Sequence, residues 1–315
     1  MADSRVLVVG EALVDVRLRG GERTEHPGGS PLNIAVGLAR LGVPTTLAAQ
    51  VGDDARGAAL TAHVEASGAE LLRLPPHHDT ATATAHLSDD GTATYEFDIV
   101  WDPVRLPDPA GFRLVHVGSI GATLPPGATG VVALVRAAAA SAVPVSIDPN
   151  LRPSITPDID QARGFVEEMV ELAGVVKLSD EDAGVLWPGQ PLDAVLTTLS
   201  AATGKPLVAL TRGGDGAVLA AARRRASAGA PPVEIADTIG AGDSFMSALL
   251  AGLLTHDLLP ARTWTELTLD WLATLAVQAA GITCSRPGAD PPWASEVSAL
   301  VEGPGSRPEP GATPG

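Results

Sequence analysis

The sequence predicts an α/β fold, a mainly parallel central sheet with helices on both faces and a small second sheet over one end. Three observations predict it. Short apolar runs alternate with helical stretches along most of the chain. Two stretches, 12–25 and 80–97, break that order with period-two alternation around turn residues. Glycine-rich turns recur at three places, 27–33, 211–216 and 237–242.

Taken in order, 5–10 (RVLVVG) reads as a buried strand. The stretch 12–25 alternates around Gly20 and Gly21. A helix is expected over 30–41, with Ser30 as N-cap, Pro31 at its first position, and Ile34, Leu38 and Leu41 on one face. A strand over 45–51 and a helix over 55–67, ending near Gly68, follow. Two alternating runs then flank Asp89, Asp90 and Gly91, a hairpin signal. Strands at 113–118 and 143–148 flank an alanine-rich helix, and two more lie at 175–178 and 206–211 with helical sequence between them. The interrupting strands, about 12–26 and 80–100, look antiparallel and half-exposed; they form either a lid sheet over one end of the main domain or two unrelated hairpins. The expectation is one domain over 1–301 and a disordered Pro/Gly-rich tail over 302–315.

Composition narrows the class. Of 315 residues, 45% are apolar, enough for a large core, while aromatics are only 3%, so small aliphatic side chains must fill it. Lys and Arg number 21 against 37 Asp and Glu, a net charge of −16, which argues against a nucleic-acid partner. A polyanionic ligand would need backbone N–H groups, a helix terminus or a metal. Cys284 is the only cysteine, so no internal disulfide forms. The N-terminus carries no basic segment followed by a long apolar run, and the apolar stretch 133–147 is interrupted by Arg136, Ser141 and Pro144. The expectation is a cytoplasmic protein with no membrane partner.

The sharpest motif is DTIGAGDSF at 237–245, followed by an apolar helical run. Gly240, Ala241 and Gly242 sit where a helix begins, and a helix start offers unpaired N–H groups and positive dipole. Glycine lets a ligand approach those groups closely, so the segment suits charge on a transferring phosphoryl group. Asp243, in the first turn, lies where it could accept a proton from an attacking hydroxyl. A glycine-rich helix start with a favourable first-turn acid is the plain alternative. In PGGSPLN at 27–33, Asn33 offers donor and acceptor to a polyol, and Asp15 adds a carboxylate; taken alone, a tight turn with a surface Asn is the favoured reading. Thr211, Gly213 and Gly216 belong to a glycine turn after a strand, the place where α/β sheets bind ligands, though a hairpin turn is a fair alternative. No GxxxxGK[ST], HExxH, GxSxG or Cys/His cluster is present.

In this order the motifs resemble the ribokinase-like (PfkB) family of carbohydrate and nucleoside kinases, over roughly 5–300. The resemblance rests on PGGSPLNIAVGLARLG, VGDDARG and DTIGAGDSF, with DPNLRP (148–153), KLSDED (177–182) and TRGGDG (211–216) in fructokinase-like order between them. It implies a ribokinase-like three-layer domain with a β-sheet lid, and an ATP-dependent sugar kinase, with fructose as the leading acceptor and ribose or 2-keto-3-deoxygluconate as alternatives. Asp243 matches the family's base, and Gly240, Ala241 and Gly242 its anion hole. Asp15, Gly28, Gly29 and Asn33 match sugar positions, with Arg152 a candidate for an acidic or phosphate group. Lys177, Thr211, Gly213 and Gly216 fall on the nucleotide side. Magnesium is implied, and potassium as an activator near Asp237 and the loop 284–288. One departure stands out: the family's NxxE appears as Ser179, Asp180, Glu181, Asp182, so either Asp182 or Glu181 replaces the metal-linked Glu. A homodimer through the lid is a further expectation. The rivals are a non-catalytic sugar or nucleotide sensor on the same fold and a purely structural α/β protein.

Overall fold

The computed structural model describes residues 5–20, 22–76, 78–87, 93–156, 158–201, 207–259 and 264–301. The expected turn at Asp89, Asp90 and Gly91 and the expected disordered tail lie outside them. The chain opens with β1 (Val6–Val9), β2 (Leu13–Arg19), β3 (Glu22–Gly28), α1 (Ser30–Arg40), β4 (Thr45–Ala49), α2 (Ala55–Ala66) and β5 (Glu70–Arg73). It continues through β6 (Thr82–Leu87), β7 (Ala93–Asp98), β8 (Leu114–Gly118), α3 (Ser119–Thr123), α4 (Gly127–Ala140), β9 (Val145–Asp148) and α5 (Ile159–Leu172). Then come β10 (Val175–Ser179), α6 (Asp180–Leu186), α7 (Leu192–Ser200), β11 (Leu207–Thr211), β12 (Ala217–Ala221) and β13 (Arg224–Ala228). The last helices are α8 (Ala241–Thr255), α9 (Glu266–Cys284) and α10 (Ala294–Val301).

The large sheet has nine strands in the order β13-β12-β11-β10-β9-β8-β1-β4-β5. β5 to β11 across this order pair in parallel; β12 and β13 close the far edge antiparallel. β1 shows how the sequence makes layers. Its four residues are all buried, as a strand covered on both faces requires. Val6 and Val8 join one core with Leu32, Leu60, Phe245 and Leu272, from α1, α2, α8 and α9. Leu7 and Val9 join the other with Val131, Met169, Leu186 and Leu196, from α4 to α7. Period-two alternation thus assigns successive side chains to opposite helical layers.

The chain winds from β1 to β5 on one side, then returns to lay β8 on the other side of β1. At such a switch point the loops leaving the carboxyl ends of the strands part and open a crevice. The second sheet, β3-β2-β6-β7, stands beside it. Val14 and Val16 of β2 are buried in the first core, so Asp15 and Arg17 point to the opposite face. β2–β3 and β6–β7 are antiparallel as expected, but the seam β2–β6 is parallel, because each pair comes from a different part of the winding.

Two further differences from the sequence reading have physical reasons. Ser30 is not the N-cap of α1: Gly29, at φ +100°, takes that place and Ser30 is the first helical residue. Its hydroxyl is committed to a tertiary partner described below. TRGGDG does form a hairpin turn, between β11 and β12, while also lining a cleft. α9 is apolar and long enough to cross a membrane by length and composition, yet nine of its residues are buried against neighbours, which marks it as a core helix.

Candidate active site

Segment 237–242 leads the chain into α8. Gly240 is the N-cap at φ +76°, and a Cβ there would stand 2.6 Å from Ala289 Cβ, so both conformation and space demand glycine. No side chain caps α8, which leaves first-turn N–H groups and the positive end of the dipole facing outward.

Asp243 lies in that first turn and is 7% exposed. Its Oδ1 accepts a hydrogen bond from Ser30 Oγ at 2.6 Å, and its Oδ2 accepts one from Asn33 Nδ2 at 2.8 Å. Ser30 and Asn33 are three apart on α1, so they share a face, and that face meets α8. Asn33, expected at the sugar, therefore reaches Asp243 directly. Ser30 is a site residue that sequence reasoning missed; the i, i+3 spacing to Asn33 was the available signal.

Lys177 enters from below. It is 4% exposed, and its Nζ lies 2.9 Å from Asp148 Oδ2. A Cβ on Gly242 would stand 3.0 Å from the same Nζ, so the ammonium sits directly under the helix start. Burial pushes the Lys177 ammonium down, but Asp148, Asp182 and Asp243 outweigh it and hold it above its usual value. The start of α8 thus lies over a buried Lys177–Asp148 ion pair.

Asp15 faces the site from β2. A Cβ on Gly28 would fall 2.1 Å from Asp15 Oδ2; Gly28 serves by leaving room for that carboxylate. Gly29, similarly, lies against the Glu11 carbonyl. Burial pushes the Asp15 carboxyl up to about 6, against Arg17, His26 and Arg152, which favour the charged form. Arg152 is exposed, and its charge also acts on Glu11. Glu11 was missed as well: it is 4% exposed, spans the switch point to accept the Gly121 N–H at 2.8 Å, and burial raises its carboxyl to about 7.

On the far side of α8 lies a cleft of about 300 Å³. Thr211, Gly213 and Gly216 line it as expected, with Ala241 and Gly242 at its inner end. Its walls were not expected: Val233 and Ile235 after β13, and Val277, Ala280 and Gly281 from α9. Apolar residues carry no chemical signature in a sequence. The exposure of Ile235, 66%, becomes a signal only once the fold is known.

The two residues expected at metals are both engaged. Asp182 is buried; its Oδ1 accepts the Leu151 N–H at 2.8 Å and its Oδ2 the Ser179 N–H at 3.0 Å, the second as half of a capping box on α6. Asp237 accepts the Ile239 N–H on Oδ1 at 3.0 Å, and on Oδ2 both the Gly288 N–H at 3.1 Å and Arg17 at 2.9 Å. Among the described residues no group of three or more His, Cys, Asp or Glu forms a metal cage. That donor set fits magnesium held chiefly by phosphates and water, its usual manner. It does not fit a bare monovalent cation at Asp237, whose charge a guanidinium already balances.

An uncapped helix start between a cleft and the switch-point residues Asp15 and Glu11 suits a phosphoryl group passing between two bound molecules, and the chain is of the phosphotransferase class. The model of the pfkB family carbohydrate kinases matches residues 3–296, and the chain belongs to that family. A fructokinase of Klebsiella pneumoniae is 32% identical over 263 residues, 81% of this chain and 86% of the relative. The crystal structure of a Vibrio cholerae O395 fructokinase with fructose, ADP and calcium superposes with a TM-score of 0.78 at 26% identity, covering 95% of this chain and 99% of that one. A double mutant of that fructokinase, with fructose, ADP and potassium, matches at the same TM-score of 0.78 and 26% identity, covering 96% and 99%. The chain is an ATP-dependent, fructokinase-like sugar kinase.

Proposed function

We propose that the chain phosphorylates fructose, with Asp243 as general base and the N–H groups at Gly240, Ala241 and Gly242 as anion hole. The supporting observation is the position of Asp243: nearly buried, on the helix start that faces the phosphates, and held from the sugar side by Ser30 and Asn33. The acceptor is inferred from the fructokinase relatives and from the fructose bound by the Vibrio protein.

In this reading the nucleoside lies between Val233, Ile235 and Val277, and its phosphates run past Thr211, Gly213 and Gly216 to Gly242. The sugar lies under the lid between Asp15, Arg152 and Asp243. Its hydroxyl oxygen attacks the γ-phosphorus, the bond to the β-phosphate oxygen breaks, and ADP leaves. The hydroxyl proton passes to Asp243. Charge on the transferring group is met by the α8 amides and, through Gly242, by Lys177. Magnesium on the nucleotide would supply further charge neutralisation, with Asp182 or Glu181 the carboxylate to hold its hydration shell. Lid closure excludes water that would otherwise hydrolyse ATP.

ADP release measured with magnesium across fructose, ribose, 2-keto-3-deoxygluconate, other hexoses and adenosine tests this. Fructose should give the highest kcat/KM, and the signal should vanish in Asp243→Asn. A preference for another acceptor overturns fructose and keeps the base; ATP binding with no turnover on any acceptor favours a sensor.

A further inference from the structure

One contact belongs to none of these roles. Arg17, on lid strand β2, reaches Asp237 on the loop that leads into α8, with Nη2 2.9 Å from Oδ2. The residues are 220 apart in sequence, and Asp237 stands three positions before the N-cap Gly240. The loop packed against them is bonded to the same segment. The Cys284 carbonyl accepts the N–H groups of both Ala236 and Asp237, at 2.8 and 3.2 Å, and Gly288 turns its N–H, not its carbonyl, toward the Asp237 carboxylate. A monovalent cation needs several inward-facing oxygens. Here the carboxylate accepts three N–H groups, and the charge beside it is already a cation.

We infer that the Arg17 guanidinium is the fixed cation of the catalytic loop, taking the place that a monovalent metal ion would hold beside Asp237, and that the lid delivers it. An exposed ion pair adds little to stability, and Arg17 is 40% exposed, so the pair is not explained as a staple. Its value is positional. Asp237 shares its two oxygens with Ile239 and Gly288, the residues on either flank of the approach to the anion hole, so a charge that fixes Asp237 fixes the amides that meet the phosphates. Arg17 and Asp15 stand two apart on one strand and project from one face, so a lid seated on the sugar through Asp15 seats Arg17 as well. Arg17 is a positioning residue: it acts on the reaction through the loop.

The inference rests on the kinase site, not on the identity of the acceptor, so its test uses none. ADP binding with magnesium is measured by calorimetry in KCl and in tetramethylammonium chloride at equal ionic strength. The wild-type affinity should be the same in both. Arg17→Gln should bind ADP at least about fivefold more weakly in both salts, the low end of ordinary coupling between sites. Arg17→Lys, which keeps the charge, should stay insensitive to potassium. A wild-type affinity that potassium raises fivefold or more overturns the inference, and so does Arg17→Gln that binds like wild type in tetramethylammonium. Arg17→Lys that binds as weakly as Arg17→Gln overturns it too, because Arg17 then does something other than a cation's work.

Discussion

The starts of α1 and α8 are built alike and used differently. Both follow glycines, neither has a side-chain cap, and the two helices lie side by side. At α1 the glycines make room for protein: Gly28 for the Asp15 carboxylate, Gly29 for the Glu11 carbonyl. At α8 Gly240 makes room for Ala289, whereas Gly242, over the Lys177 ammonium, also opens onto the cleft. The first-turn polar residues reinforce the contrast. Ser30 and Asn33 turn toward Asp243, whereas Asp243 is the group they converge on. A glycine-rich helix start therefore marks a close approach, but not what approaches.

The contrast breaks most sharply at Asp243. Asp243→Asn keeps the shape and both partners but removes the proton acceptor. It should lower kcat by about a thousandfold, in the usual range for a general base, while calorimetry finds ADP and sugar affinities close to wild type. Near-normal turnover would return Asp243 to the role of a first-turn helix acid.

The glycines sharpen it next, because the two starts predict different kinetic signatures. Gly242→Val forces its side chain against Lys177 and the phosphate path, and should cost kcat about a hundredfold, the scale of a lost anion-hole donor. Gly28→Ala displaces Asp15 and presses on Leu13; the sugar KM should rise about tenfold with kcat little changed, as for a lost ground-state contact. If both variants lose kcat alike, the two helix starts form one unit and the division drawn between them fails.

How much of this was legible follows from what each residue spends its polarity on. The placement of Gly240, Gly242 and Asp243 at the start of α8 could be read because glycine suits a helix entry and an acid its first turn. The apolar run of β1 and the alternation of β2 marked the two sheets. Ser30 was misread because Ser before Pro is the signature of an N-cap, and only the neighbouring α8 redirects its hydroxyl. Glu11 and Lys177 sit within or beside apolar runs, where a lone charge says that a partner exists but not which. Asp182 had the reverse fate: a residue that looked free for a metal is half of a capping box. The cleft walls were invisible, since Val233, Ile235 and Val277 are made of the same chemistry as the core.

Removing the α1 donors should give smaller effects. Ser30→Ala and Asn33→Ala each leave one Asp243 oxygen without its partner, and the carboxylate loses orientation rather than function. Each should lower kcat by about tenfold, roughly what one lost hydrogen bond to a charged group is worth. Stopped-flow measurement of the chemical step, with ADP affinity unchanged, separates this from a general loss of folding. An Asn33→Ala variant that raises only the sugar KM would move Asn33 back to the acceptor.

The smallest effect expected is the pH dependence at Asp15, and it has two opposite signs. The carboxyl is pushed up to about 6 by burial, so the folded chain holds this proton more tightly than the unfolded one. Its contribution to stability is therefore present at low pH and is lost as pH rises through about 6. Sugar binding runs the other way, because the acceptor form is the carboxylate. Between pH 7 and 5 the sugar KM should rise by a few-fold to about tenfold while kcat/KM for ATP, at saturating sugar, follows a different profile. Asp15→Asn should bind sugar weakly at every pH and flatten the KM profile across that interval. A profile that keeps its slope in Asp15→Asn would assign the titration to Glu11 or Asp148, carboxyls that burial also raises, each to about 7.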